Sequence, residues 1–317
     1  MKKLSDFKKA SLGVFPTPLY KLENVSAALK TNVYIKRDDL SGVGLGGNKV
    51  RKLEYLLAEA KDLGAKVVFT TGGAQSNHAM LTAACAGKLG MKAVLILKER
   101  GVTAPLGNLL LERIMGAEVI FNDTDDFNEI YALMDEIGKK LGEPYYKIPL
   151  GGSNALGTLG YVACAEEISK QGVIFDHIVC AEGSGGTAAG LALGAKLFLP
   201  GARVHGMTVS EGDFENTTLT LMRETAALLE SGINISANDF DIKENYGPGY
   251  AVPSEEGNAA MRFLAEKEGI FLDPVYTGKA FAGLLKMARE GAFKESDKVL
   301  FVHTGGAGGI FAVSSAD

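Results

Sequence analysis

Nothing in this chain of 317 residues asks for a membrane, a nucleic acid or a metal ion as partner. No stretch approaches the ~20 consecutive apolar residues that a helix needs to cross a bilayer. Basic charge is not in excess: 33 lysines and arginines stand against 38 aspartates and glutamates, a formal net charge of −5, so there is no electrostatic attraction for polyanions. Cysteine is scarce. Cys85, Cys164 and Cys180 are far apart, odd in number and without C-x-x-C spacing, which argues against a disulfide framework and against a zinc site. A reducing, cytoplasmic compartment is expected. The start Met1-Lys2-Lys3 is basic, but Asp6, Lys8 and Lys9 break any apolar run behind it, so no signal peptide is expected. His177, His205 and His303 lie in or beside expected strands without ligand spacing and read as structural; no metal is expected. The motifs G-x-S-x-G, H-E-x-x-H and G-x-x-x-x-G-K-S/T are all missing, which removes support for a serine hydrolase, a zinc protease or a P-loop enzyme.

What is present in excess is glycine. Forty residues are glycine, close to twice the usual share of about 7%, and they cluster in pairs such as Gly46-Gly47, Gly72-Gly73, Gly151-Gly152, Gly185-Gly186 and Gly305-Gly306. Such pairs belong where a backbone turns tightly or approaches a ligand closely. Between them, short β-branched runs at 66–70, 93–97, 118–121, 177–181, 203–209 and 298–303 alternate with longer helical patterns. That alternation predicts an α/β chain with parallel sheet covered by helices. Residues 49–63 place Val50, Leu53, Leu56, Leu57, Ala60 and Leu63 on one stripe and predict an amphipathic helix. Pro105 suits the start of a helix over 106–115. A glycine-rich linker at 148–154 divides the units into two lobes, with a ligand expected between them.

Three loops offer chemistry. Gly46-Gly47-Asn48-Lys49-Val50-Arg51-Lys52 puts a lysine in the first turn of the expected helix. The partial positive charge there, with Arg51 and Lys52 nearby, disfavours the ammonium and pushes Lys49 toward the neutral nucleophile that imine formation requires. A solvated basic cluster is the other reading. Gly183-Ser184-Gly185-Gly186-Thr187 follows an expected strand and opens an Ala/Leu-rich helix, the arrangement of a phosphate cradle. Its loose G-x-G-x-x-A pattern also admits a dinucleotide, although Glu211 falls one residue late for the expected acid. Gly72-Gly73-Ala74-Gln75-Ser76-Asn77-His78 opens a largely apolar helix. Ser76 and Asn77 are good N-caps; free N–H groups and a hydroxyl there would also hold a carboxylate.

Taken in order, these loops resemble the fold type II, tryptophan synthase β-like, pyridoxal-phosphate enzymes, and within them the 1-aminocyclopropane-1-carboxylate deaminase and D-cysteine desulfhydrase family. The matching segments run from Pro16-Thr17-Pro18-Leu19 and Lys36-Arg37-Asp38-Asp39-Leu40, through the three loops, to Leu272-Asp273-Pro274-Val275-Tyr276-Thr277-Gly278-Lys279 and His303-Thr304-Gly305-Gly306. The resemblance implies a two-domain fold with parallel twisted sheets flanked by helices. A larger cofactor domain would comprise 1–53 and 155–317, and a smaller mobile domain 54–154. It implies pyridoxal 5′-phosphate held by Lys49 as a Schiff base, with Gly183, Ser184, Gly185, Gly186 and Thr187 on the phosphate and Asn77 beside the 3′-oxygen. Ser76, Asn77 and His78 would lie near the substrate carboxylate. Tyr250 and Tyr276 would line the substrate side and, with Lys49 and Ser76, be the catalytic candidates. Thr277 matches the position facing the pyridine nitrogen, where cyclopropane deaminases carry glutamate. A neutral hydroxyl stabilises a pyridinium less than a carboxylate does, which favours β-elimination over ring opening.

The reaction so implied converts a small amino acid, D-cysteine first, to pyruvate, hydrogen sulfide and ammonia. Alternatives within the family are a lyase for L-cysteate or another β-substituted amino acid and a cyclopropane deaminase. Outside it stand a nicotinamide-dependent oxidoreductase, which leaves Lys49 unexplained, and a non-catalytic amino-acid-binding protein. A homodimer is implied. Two positions depart from the family pattern: Glu182 where threonine is usual before the phosphate loop, and Met80 where arginine often follows S-N-H-x.

Overall fold

The β-branched runs form strands and the periodic stretches form helices in the computed structural model, which describes residues 1–312. In chain order the elements are β1 (Leu19–Lys21), α1 (Glu23–Leu29), β2 (Asn32–Arg37), α2 (Lys49–Asp62), β3 (Val67–Gly73), α3 (Asn77–Lys88), β4 (Lys92–Lys98), α4 (Gly107–Ile114), β5 (Glu118–Phe121), α5 (Phe127–Leu141), β6 (Tyr145–Lys147), α6 (Ala155–Ser169), β7 (His177–Glu182), α7 (Gly186–Phe198), β8 (Arg203–Thr208), α8 (Phe214–Leu228), β9 (Phe240–Lys243), α9 (Glu255–Glu268), α10 (Thr277–Arg289) and β10 (Lys298–His303). Each of the six expected strands is present; β1, β2, β6 and β9 were not expected. Three of those four have only three or four residues, too few to show a period, and β2 hides behind Lys36 and Arg37.

Among the described residues the strands make two sheets. One has the order β1-β2-β10-β7-β8-β9, the other β5-β4-β3-β6. All pairings are parallel except the edge pair β1–β2. The strand period of two sorts their side chains onto opposite faces. In the larger sheet Ile178, Cys180, Leu300 and Val302 pack with α6, α7 and α8, while Val179, Ala181, Val299 and Phe301 pack with α9 and α10. In the smaller sheet Val68, Leu95 and Leu97 face α2 and α3, and Val67, Phe69, Val94 and Ile96 face α5. Burial on both faces explains why these strands read as nearly continuous apolar runs. No helix of the described residues is long and apolar enough to cross a membrane.

Helix α2 departs from the amphipathic expectation, because its polar side is buried too. Arg51, Lys52 and Glu54 all lie inside. Arg51 makes a forked pair with Asp38, Nε to Oδ2 and Nη2 to Oδ1 both at 2.8 Å, and reaches Glu167 Oε2 at 2.9 Å. Lys36 donates to the other oxygen of Glu167 at 2.5 Å, and Tyr161 donates to Asp38 at 2.6 Å. A buried charge persists only when so paired, and this network pins the first turn of α2. Close helix contact completes the clamp: a Cβ at Gly160 of α6 would sit 2.4 Å from the Arg51 carbonyl oxygen. Pro105 does not open α4. The helix starts at Gly107, because the Gln75 side chain takes over the preceding loop, donating to the Val102 and Leu106 carbonyls and accepting from Asn108 N.

Candidate active site

A cavity of about 330 Å³ opens where the C-terminal ends of β3 and β7 meet the N-termini of α2, α3 and α7. The carboxyl ends of parallel strands are where α/β sheets bind ligands, since loops and helix N-termini converge there. All three sequence loops reach it.

Lys49 is the first residue of α2 and lines the cavity. Its loop is held from behind: Asn48 N donates to the Thr304 carbonyl at 3.0 Å, and Gly47 bridges to Gly305. The side chain keeps some surface on the cavity yet is enclosed by protein. Burial, opposed by the charge of Glu182, lowers its pKa to about 8. The same turn carries a cation whose position the sequence reading missed. Lys52 is fully buried and donates to the Gly151 carbonyl at 3.2 Å and to Ser153 Oγ at 3.0 Å. A Cβ at Gly186 would lie 2.7 Å from its Nζ, so this amine sits directly under the glycine loop. Spacing of three along a helix puts Lys52 on the face of Lys49, which was the available signal. Burial, reinforced by the charge of Lys49, moves its pKa well below the ordinary lysine value.

The glycine loop turns from β7 into α7 through Gly185, whose φ of +82° suits glycine. Gly185 is the N-cap and offers no side-chain cap, so the first N–H groups of α7 are open to an anion. Gly183, Ser184, Gly185 and Thr187 line the cavity, and Gly186 lies behind them over Lys52. Two hydroxyls are set by neighbours: Ser184 Oγ is 2.9 Å from Ser153 Oγ, and Thr187 Oγ1 accepts from Asn48 Nδ2 at 2.9 Å. Glu182, the last residue of β7, turns inward; its Oε1 accepts from Gly185 N at 2.5 Å.

In the third loop Ser76 caps α3 by accepting from Ala79 N at 3.2 Å, and it also lines the cavity. Asn77 is steadied by Asn108, whose Nδ2 donates to Asn77 Oδ1 at 2.6 Å and to the Gln75 carbonyl at 2.9 Å. His78 is buried, and desolvation with the nearby Lys49 and Lys52 charges drives its pKa well below the ordinary histidine value. A hydrogen bond from the ring to the Pro149 backbone opposes that shift. The Thr70 hydroxyl lies 2.8 Å from His78 Nε2 and 3.0 Å from the Ile148 carbonyl oxygen.

Opposite stand Tyr250 and Tyr276, hydroxyl to hydroxyl at 2.6 Å. Burial raises the pKa of both, so they remain protonated acids at neutral pH. Thr277 is not on the cavity wall. Its hydroxyl accepts from Asp273 N at 2.8 Å and donates to Asp273 Oδ1 at 2.7 Å, inside the first turn of α10. Thr304 lines the cavity instead. Met80 packs in the apolar cluster around α2 and α3. At the mouth, Lys98 and Arg100 both pair with Asp125; no sequence motif marked them.

Comparison with known proteins agrees with this arrangement. Residues 10–305 match the family model described as pyridoxal-phosphate dependent enzyme. A putative 1-aminocyclopropane-1-carboxylate deaminase of Pyrococcus horikoshii is 44% identical over 314 residues, covering 97% of this chain and 94% of that protein. A D-cysteine desulfhydrase of Yersinia pestis is 42% identical over 320 residues, covering 98% and 97%. Among solved structures, an ACC deaminase homologue superposes with a TM-score of 0.91 at 43% identity, over 97% of this chain and 94% of that one. A threonine deaminase of Solanum lycopersicum, at 18% identity and a TM-score of 0.65 over 96% and 81% of the two chains, shares the fold.

Proposed function

The chain belongs to the pyridoxal-phosphate dependent enzymes, and from that premise we propose that it is a lyase removing the β-substituent of a small amino acid, with D-cysteine as the leading substrate. The residues present fit the cofactor. An uncapped helix N-terminus over the buried Lys52 amine, which a bound anion would hold protonated, suits a phosphate, and a lysine of lowered pKa stands on the same cavity. When bound, the cofactor supplies an electrophilic aldehyde carbon and a conjugated ring that draws electrons from the bond broken at the substrate Cα.

In this reading Lys49 holds the cofactor, and its Nζ takes the proton from Cα. Gly183, Ser184, Gly185, Gly186 and Thr187 hold the phosphate. Asn77 orients the ring, fixed in turn by Asn108, and Ser76 with Asn77 binds the substrate carboxylate. His78 stands beside them near the substrate carboxylate as a neutral ring. Tyr250 and Tyr276 hold a proton for the departing thiolate. The observation that carries the reading is this buried tyrosine pair on the cavity that Lys49 lines: a base and an acid are both available to an elimination. Residues 54–154 would be the smaller, mobile domain and 1–53 with 155–317 the larger. We further propose a cytoplasmic homodimer.

The test is to incubate the purified protein with D-cysteine and assay pyruvate and sulfide. Absence of both, with turnover of another amino acid, sinks the D-cysteine assignment. A panel of L-cysteine, cysteate, serine and the cyclopropane amino acid then identifies the substrate. The last is included because relatives at 43–44% identity carry the deaminase name.

A further inference from the structure

Glu182 is a buried acid placed where an anion is to be bound. Its Oε1 lies 2.5 Å from Gly185 N, one of the donors of the glycine loop, and its Oε2 has no hydrogen-bond partner among the described residues. The side chain cannot be read as surface charge, being 1% exposed. A carboxylate and a phosphate dianion would therefore compete for one set of N–H groups. The surrounding charges do not offset both. From α2 Glu182 faces Lys49 and Lys52, and on its own strand the neutral thiol of Cys180. Strand β8 and helix α7 bring Gly206, Thr208 and Ala188, none of which titrates. Lys49, with a pKa of about 8, loses its charge as pH rises through that value, and Lys52 with the partial charge of α7 is what then faces the two acids.

We propose that Glu182 couples occupancy of this cradle to proton uptake: the phosphate group binds with Glu182 protonated, so that affinity falls as pH rises. The inference rests on the family's cofactor and not on the reaction proposed above, so it stands or falls independently of the substrate. Burial acts in the same direction, raising the Glu182 pKa against the opposing hydrogen bond from Gly185 and the charges of Lys52 and Lys49.

The experiment uses the full chain freed of cofactor and 4′-deoxypyridoxine 5′-phosphate, which carries the phosphate but no aldehyde and so forms no bond to Lys49. Calorimetric titration between pH 7 and 9, in buffers of different ionisation enthalpy, counts protons taken up. Above pH 7 the phosphate, with its second pKa of about 6, contributes little uptake of its own. The wild-type protein is expected to take up close to one proton per analogue, with affinity falling up to about tenfold per pH unit once Glu182 is ionised in the free protein. Glu182→Gln and Glu182→Thr are expected to take up one proton fewer than the wild type, any uptake common to all three belonging to Lys49 or Lys52. Zero uptake by the wild type overturns the proposal, as does equal uptake in wild type and variants, which would assign the proton to Lys52. Should the variants fail to fold, the infrared difference spectrum of the wild type on analogue binding decides: a protonated-carboxyl C=O band must grow, and its absence overturns the proposal.

Discussion

At the scale of single residues the chemistry turns on how burial sets protonation. A lysine whose pKa has come down to about 8 has roughly three-hundredfold more neutral amine at pH 7 than an ordinary lysine. The sign follows: the reactive form grows as pH rises through 8 and is complete above it. Apoprotein should therefore capture pyridoxal, an aldehyde that brings no phosphate to the cradle, about tenfold faster per pH unit below 8 and at a constant rate above, followed by the visible absorbance of the product. Lys49→Ala should give no borohydride-sensitive colour at any pH. Asn108 never touches the cavity wall but holds Asn77. Asn108→Ala should shift the visible absorbance maximum and lower kcat/KM by roughly tenfold, about 1.4 kcal/mol of lost transition-state binding; an unchanged spectrum would remove Asn108 as a positioning residue. Of the residue readings, Lys49 and the glycine loop were legible because a cation at a helix start and glycines after a strand are local patterns. Glu182, Lys52 and Ser153 were not, because what matters is that they lie against one another across segments a hundred residues apart.

At the scale of elements, the site is placed by how α2 is gripped. Its first turn carries Lys49, and its next residues lock into the Asp38–Arg51–Glu167 network. Replacing Arg51 with methionine leaves Asp38 buried beside Tyr161 without its cation. This is expected to cost about 3–5 kcal/mol of stability, read as a shift of the denaturation midpoint. The α6–α7 contact is as tight: a Cβ at Gly190 would come 2.4 Å from that of Tyr161. Gly190→Val should destabilise by about 1–3 kcal/mol through overpacking, and a neutral result would refute the close approach. The helical period predicted α2 to within a residue but made it amphipathic. Periodicity cannot distinguish a solvated charge from one neutralised by partners remote in sequence.

Across the whole molecule, the three cysteines report on global opening. All are free and buried, and burial raises their thiol pKa values, Cys85 to about 12. A thiol reagent should find none reactive in the native protein and three after unfolding. Ligand linkage gives a second global readout. Pyridoxal phosphate at a hundred times its dissociation constant should add about 2.7 kcal/mol, raising the melting temperature by several degrees, and Lys49→Ala should lose most of that rise. The alternation of strand and helix, the parallel pairing and the loops that open helices were determined by the sequence itself, because each depends on hydrophobic period and glycine placement within some thirty residues. The tertiary structure alone decided that Thr277 turns its hydroxyl into Asp273, that the two tyrosines share a hydrogen bond, and that Glu182 enters the cradle. These depend on which way a side chain points once β7, α7 and α10 are packed, and on a desolvation that no local pattern encodes.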